Sequence, residues 1–445
     1  MERLSNIISL IKSKKLALLL LIILIILKIL FIYHSDMTGD EYKHYFMAKY
    51  ILEHGELFYG KEIFPHIIDT YMPLYHIVLS GFMFFIQSAN ILRYISIIWM
   101  LITTYFLYKL FYPYDQTGIL AVISNFNYVV FFPRSTGLWS ETFFLMLTTI
   151  AIYFYIKDKN AWIIFFIFSL LTKHYLGLSL LAVFLFNSWQ TKKYRKLLIA
   201  ILITIPYIYA STMIVPSSPE IFGYHGLFIY KITEFQQLYA LIFLPFILIS
   251  FFALKKEDLI FWVAGVSFAL PYLIESIVIT YFIPSAIFTF LLFYLFLKRI
   301  DFKYIKHFFI ILIIANLGLS FYYNNFNCPL FPMFENLYFW DNFNCLNPYF
   351  KESLPFIREN ITKDSIIFTP FPFEIYYWAS IPTTNNQNMM LNNATHVFIM
   401  KEWLQAGFFY DRVTPDIRTW NSTVWNLVYE NQRVAIINRN NLSVV

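Results

Sequence analysis

The chain of 445 residues is 59% hydrophobic and 21% aromatic but only 13% charged, about half the charged fraction of an ordinary soluble domain. Long apolar runs recur along most of it, which excludes a soluble globular protein and points to a polytopic membrane protein. The net charge of +6 gathers in short lysine clusters between the apolar runs, a topology signal and no nucleic-acid surface.

The basic start "MERLSNIISLIKSKK" leads into "LALLLLIILIILKILFIY", long enough to span and without a small-residue cleavage site, hence a retained anchor. Further spans are expected near 91–111, 117–133, 141–156, 161–173, 175–190, 197–214, 238–254, 259–275, 277–297 and 307–323, about eleven with the first. If these spans alternate, every lysine cluster falls on one side: Lys12, Lys14 and Lys15, Lys109, Lys157 and Lys159, Lys192 to Arg195, Lys255 and Lys256, and Lys298 to Lys306. That side is the cytoplasm by the positive-inside rule.

The segment "PLYHIVLSGFMFFIQS", 73–88, would reverse this order if it crossed. As a helix it measures roughly 24 Å against a hydrocarbon core of ~30 Å. It is therefore expected to lie at the outer interface, inside a first external loop over 34–90. The N-terminus is then cytoplasmic and the C-terminus extracytoplasmic, in a cell membrane or, in a eukaryote, the endoplasmic reticulum membrane.

The expected domains are a transmembrane domain over 1–323 and an extracytoplasmic domain over 324–445. The tail is polar, carries sequons at Asn360, Asn393, Asn421 and Asn441, and holds both cysteines, Cys328 and Cys345. In an oxidising compartment those two could form one disulfide; two free thiols is the other reading. The runs "SIIFTP", "ATHVFIM" and "RVAIINR" alternate as strands do, and "ESLPFIREN" adjoins a helix. The fold class is thus an all-α polytopic membrane protein with a small C-terminal α/β domain. No Gly-rich phosphate loop, HExxH or CxxC pattern occurs.

On the outer face this topology collects Asp36, Asp40 and Glu41, His66 and Asp69, Tyr75 and His76, Arg134 and Glu141, Lys173 and His174, Lys231 and Glu234, and Glu275. Several have plain readings: Asp36 ends a helix, Asp40 and Glu41 are solvated or cap a helix, Lys173 snorkels. The histidines lack a second ligand at metal-like spacing. A reaction that uses carboxylates and cations at this face is group transfer from a lipid-linked phosphate. A carboxylate serves as general base for the acceptor, and Arg or Lys stabilises the leaving phosphate.

Those residues also resemble the GT-C class of integral-membrane glycosyltransferases, in the branch of the protein O-mannosyltransferases and the lipid A aminoarabinose transferase. The likeness lies in an acidic pair after the first span ("GDEYKHYF", Asp40 and Glu41) and a proline opening a juxtamembrane helix ("YMPLYHIV", with Met72 where a second proline is usual). It continues with an Arg followed by an acid ("PRSTGLWSE", Arg134 and Glu141), a Leu-Thr-Lys turn before a Gly ("LLTKHYLGL", Lys173), and "TYFIP" with Thr280 where an Arg is usual. The resemblance covers residues 14–300.

It implies that Asp40 is the general base with Glu41 beside it, and that Arg134 and Lys173 hold the donor phosphate. Glu141, His66, Tyr75 and His174 are further candidates, for the acceptor or for another part of the site. It implies a polyprenyl-phosphate monosaccharide as donor, inversion at the sugar carbon, and a protein, lipid-linked glycan or glycolipid as acceptor. No cofactor is expected and no metal is indicated, although some relatives use a divalent ion. A lipid or solute transporter, or a non-catalytic scaffold with a binding tail, is the alternative. A transporter would place its ionisable groups at mid-bilayer and repeat internally.

Overall fold

The computed structural model describes residues 14–34, 37, 39–57, 62–64, 67–68, 72–126, 137–138, 140–214, 247–275, 283–305, 307–312, 314–315, 348–369, 372–384, 394–400, 425–431 and 434–439. Asp36, His66, Asp69, Arg134, Lys231, Glu234, Cys328 and Cys345 lie outside them. So do the side chains of Asp40, His174 and Glu275. The chain forms two compact units: Met1–His34 with Tyr71–Phe334, and Ser35–Thr70 with Glu335–Val445. The first loop is therefore divided. Its acidic part compacts with the tail, and its second part, from Tyr71, with the helices.

The helical unit contains α1 (Lys14–His34). In the α/β unit follow α2 (Gly39–His54) and a small hairpin of β1 (Glu62–Phe64) and β2 (Ile67–Ile68). The helical unit resumes with α3 (Pro73–Met83), α4 (Ala89–Leu92), α5 (Ile95–Phe111), α6 (Ile119–Ser124), α7 (Ser140–Ile156), α8 (Trp162–Leu170), α9 (His174–Thr191), α10 (Tyr194–Ile214), α11 (Leu259–Glu275) and α12 (Ile283–Arg299). Two helical stretches among the described residues are long and apolar enough to cross a membrane, Lys14–Tyr33 and Ala89–Phe111. Others are shorter than the sequence suggests. The helix in the expected third span is described only as Ile119–Ser124, and the fifth, expected over 161–173, stops at Leu170.

Along α1, Leu18, Leu19, Ile22, Ile26, Leu30 and Tyr33 are exposed while Leu24, Phe31 and Ile32 are buried. A helix apolar on both its exposed and its packed face suits a lipid surround. The buried face packs on Ile97 and Met100 of α5 and on Val122 and Phe126.

Contacts within this unit test the alternation of spans. At one end, Tyr114 donates to Asp258, Tyr294 donates to the Tyr114 carbonyl, and Gln190 donates to the Lys256 carbonyl. Lys193 and Lys196 both bond Asp158, which holds that exposed carboxyl at about 2. Burial, and then the bond to Asp258, push the Tyr114 phenol upward. The segments that carry the described lysine clusters from 109 to 256 thus share one end.

At the other end, Arg93 Nη1 donates to the Ile32 carbonyl (2.9 Å), Leu74 N–H to the Leu171 carbonyl (3.2 Å), and the Tyr207 hydroxyl to the Leu170 carbonyl (2.7 Å). The helix α3 belongs wholly to this end. Its 11 residues span roughly 16 Å, and its aromatic rings meet the starts of other helices: Tyr75 packs on Phe143 and Phe82 on Trp99. Pro73 opens it after an extended Met72 (φ −63°, ψ 137°), the helix position where a missing N–H costs nothing.

In the α/β unit, the tail adds α13 (Pro348–Asn360), β3 (Ile367–Phe368), α14 (Pro372–Ala379), β4 (Thr383–Thr384), β5 (His396–Met400), β6 (Trp425–Glu430) and β7 (Val434–Arg439). The sheet order is β4-β3-β5-β7-β6. The strand β3 runs parallel to β4 and β5, and β7 antiparallel to β5 and β6. The three alternating runs of the sequence are β3, β5 and β7. Their inward residues Ile367, Phe398 and Ile436 form a core with Phe350, Ile357 and Ile375 from the helices.

Candidate functional site

In the helical unit the site centres on Glu141 and Lys173. Glu141 lies in the first turn of α7, where the helix dipole favours a negative charge. Lys173 is the N-cap of α9, in an extended conformation (φ −146°, ψ 98°). A cation at a helix N-terminus opposes the dipole, so it needs an anion nearby. Glu141 supplies one: Lys173 Nζ sits 2.9 Å from Glu141 Oε1, with side chains 19% and 5% exposed respectively. Ser140 Oγ lies 3.4 Å from the other carboxylate oxygen.

The turn that presents Lys173 depends on Gly177. A Cβ there would stand 2.9 Å from the Leu170 backbone, closer than real Cβ contacts allow, so only glycine lets α9 start this close to the end of α8. This gives the Leu-Thr-Lys turn and its following glycine a steric reason. The same Leu171 carbonyl that receives Leu74 N–H fixes the start of α3 beside the turn. The buried His76 ring is bonded to the Met72 carbonyl through Nδ1 (3.1 Å), and Tyr75 is buried against Phe143. Three helix N-termini, those of α3, α7 and α9, therefore start at one end of the unit around one lysine. Such an arrangement suits an anion.

In the α/β unit, Asp40 and Glu41 fall in the first turn of α2, again the end a dipole favours for carboxylates. Glu41 is 1% exposed and so is Tyr42. The stripe Tyr42, Tyr45, Phe46, at i, i+3 and i+4, packs on α14. Tyr42 and Tyr377 lie 4.7 Å apart between ring centroids, Tyr45 and Tyr377 5.9 Å, and Phe46 and Tyr376 5.3 Å. Trp378 Nε1 donates to the Tyr42 hydroxyl at 3.0 Å. Burial, then the neighbouring Tyr377 and Glu53, raise the Tyr45 phenol above its ordinary range.

The structure thus brings Glu141 and Lys173 together, with Tyr75 on the helix next to their turn, and places Asp40 and Glu41 on one helix of the other unit. Sequence reading missed Lys28, 1% exposed within the first span, although a lysine interrupting an apolar run is a visible signal. It also missed Arg93 and the Tyr42–Trp378 pair. Among the described residues no cluster of three or more His, Cys, Asp or Glu has a metal-holding arrangement.

The helical bundle and the mixed α/β tail make a fold known from solved structures. It is shared with ArnT from Cupriavidus metallidurans. The crystal structure of that protein bound to undecaprenyl phosphate matches with a TM-score of 0.57 at 10% identity, over 96% of this chain and 98% of that one. Its apo structure matches with a TM-score of 0.56 at 10% identity, over 95% and 97%. No family model matches the sequence, and no curated protein matches it. The likeness is one of fold.

Proposed function

We propose that this chain is a multi-pass membrane glycosyltransferase that moves a monosaccharide from a polyprenyl-phosphate donor to a hydroxyl or amine acceptor at the outer or lumenal face. The observation that carries the reading is the lysine held by Glu141 among three converging helix N-termini. It is an anion site at the end of the helical unit opposite the lysine clusters, in a fold whose ArnT counterpart was crystallised with undecaprenyl phosphate.

In the proposed reaction the acceptor oxygen or nitrogen attacks the anomeric carbon as the sugar–phosphate bond breaks, which inverts that carbon. Asp40 takes the acceptor proton, with Glu41 beside it. The electron pair of the broken bond leaves on the polyprenyl phosphate, and Lys173, with Arg134, stabilises the charge that develops there. Glu141 keeps Lys173 aimed while the site is empty, and a phosphate then competes for the same ammonium. His66, Tyr75 and His174 are assigned to the acceptor side. The N-terminus is cytoplasmic and the tail extracytoplasmic in this reading, because the lysine-bearing segments share one end.

The test is to incubate membranes containing the protein with labelled polyprenyl-phosphate sugars and follow the label. Transfer that disappears in Asp40→Asn, with the protein still inserted and folded, is the expected result. Full transfer by Asp40→Asn sinks the base assignment. Absence of transfer from every polyprenyl-phosphate sugar tried, with lipid or solute moved instead, favours the transporter reading.

A further inference from the structure

The helix with the acidic pair belongs to the α/β unit. It compacts with a tail that begins some 280 residues later in the chain. Its ends are well defined: α2 starts at Gly39 and stops before Gly55, whose φ of +67° and N–H bond to the Ile51 carbonyl (2.9 Å) mark a glycine terminator. Between those ends the tail takes hold of it through α14. Ile375 and Ala379 anchor α14 in the sheet core, and Arg358 Nη2 of α13 donates to the Trp378 carbonyl (3.0 Å). From that fixed backbone the indole N–H reaches the hydroxyl of Tyr42, the residue next to Glu41.

We infer that Trp378 and Tyr42 are positioning residues for the acidic pair, so that the C-terminal α/β region sets the geometry of the reacting carboxylates. The inference rests on the reading of Asp40 and Glu41 as the acid–base pair. Its physical basis is rotation. Tyr42 is buried and directional in its bond, so an indole donor at 3.0 Å fixes how α2 is turned about its own axis. Apolar packing of Tyr45 and Phe46 alone tolerates a few degrees of roll. At the first turn such a roll displaces a carboxylate by a fraction of an ångström, and a misplacement near 1 Å costs about a hundredfold in rate.

The experiment uses the full chain in membranes. Trp378→Phe removes the N–H and keeps the aromatic packing; Tyr42→Phe removes the acceptor and keeps the ring. Each is expected to lower kcat by about 10- to 100-fold with donor KM and thermal midpoint near wild type, and the double variant to be no slower than the slower single. Hydrogen exchange is expected to rise in the first turns of α2 in both singles. The Asp40→Asn variant runs alongside. If Asp40→Asn is dead while both Phe variants turn over like wild type, the positioning role is overturned and the base assignment stands. If Asp40→Asn stays active, the base assignment falls, and unchanged exchange in α2 of the Phe variants overturns the anchoring as well. Additive losses in the double variant also overturn it, because two ends of one bond cannot be lost twice.

Discussion

Replacing Glu141 by Gln separates what the ion pair does for the fold from what Lys173 does for the phosphate. At the observed 2.9 Å two unit charges attract by about 6 kcal/mol at an effective dielectric near 20, and removing both from water offsets much of this. Breaking a buried pair by deleting one partner costs about 3–5 kcal/mol. Lys173 keeps 19% exposure, so water screens its stranded charge, and Glu141→Gln should cost about 2–3 kcal/mol. The converse, Lys173→Met, strands a carboxylate that is only 5% exposed and should cost more. In detergent, the thermal midpoint of Glu141→Gln is expected to fall by on the order of 5 °C. The double variant Glu141→Gln/Lys173→Met, which strands neither charge, should regain most of it. Sugar transfer, by contrast, should stay well below wild type in the double variant, because Lys173, one of the two cations proposed to hold the phosphate, is gone. A double variant as unstable as the sum of the singles would refute the pairing as the source of the stability. A double variant with wild-type transfer would refute the role of Lys173.

Gly177→Ala places a Cβ 2.9 Å from the Leu170 backbone and is expected to destabilise the α8–α9 turn by about 1–3 kcal/mol, with donor KM rising as Lys173 moves; unchanged stability and KM would show that the turn can give. Burial holds His396 below its ordinary value near 6.5, so the unfolded chain binds the extra proton first. The α/β unit should therefore lose stability as pH falls below about 6.5, and His396→Gln should flatten that slope in an unfolding titration; an unchanged slope counts against it. A single cysteine at Ser88, exposed between α3 and α4, should react with a membrane-impermeant reagent from outside and a tag after Lys193 only from inside. Swapped accessibility overturns the proposed orientation.

Much of the helical unit was legible because its signals are local. Lysine spacing predicts which loops share an end, and the contacts from Tyr114 to Asp258 and from Lys193 to Asp158 agree. Pro73 announces the start of α3. The Lys173 turn shows in "LLTKHYLGL", although nothing in the spacing reveals that Glu141, 32 residues earlier, closes on it. Span ends were less legible: an apolar run does not say where its helix stops, so α8 ends three residues early. The allocation of Ser35–Thr70 to the tail was out of reach, since it depends on Tyr42 and Trp378, 336 residues apart. Each of those looks like an ordinary aromatic in its own neighbourhood.

That separation also has a consequence in time. The acidic helix leaves the ribosome long before the surface it packs on, with 336 residues between Tyr42 and Trp378. Long-range pairings of this kind are slow to form and leave apolar faces uncovered meanwhile. Until then Tyr42, Tyr45 and Phe46 lack the face of α14 they pack on. A chain released before residue 379 would carry every helix of the bundle and still lack a seat for its carboxylates. The packed form of α2 is thus withheld until the chain has been made through α14.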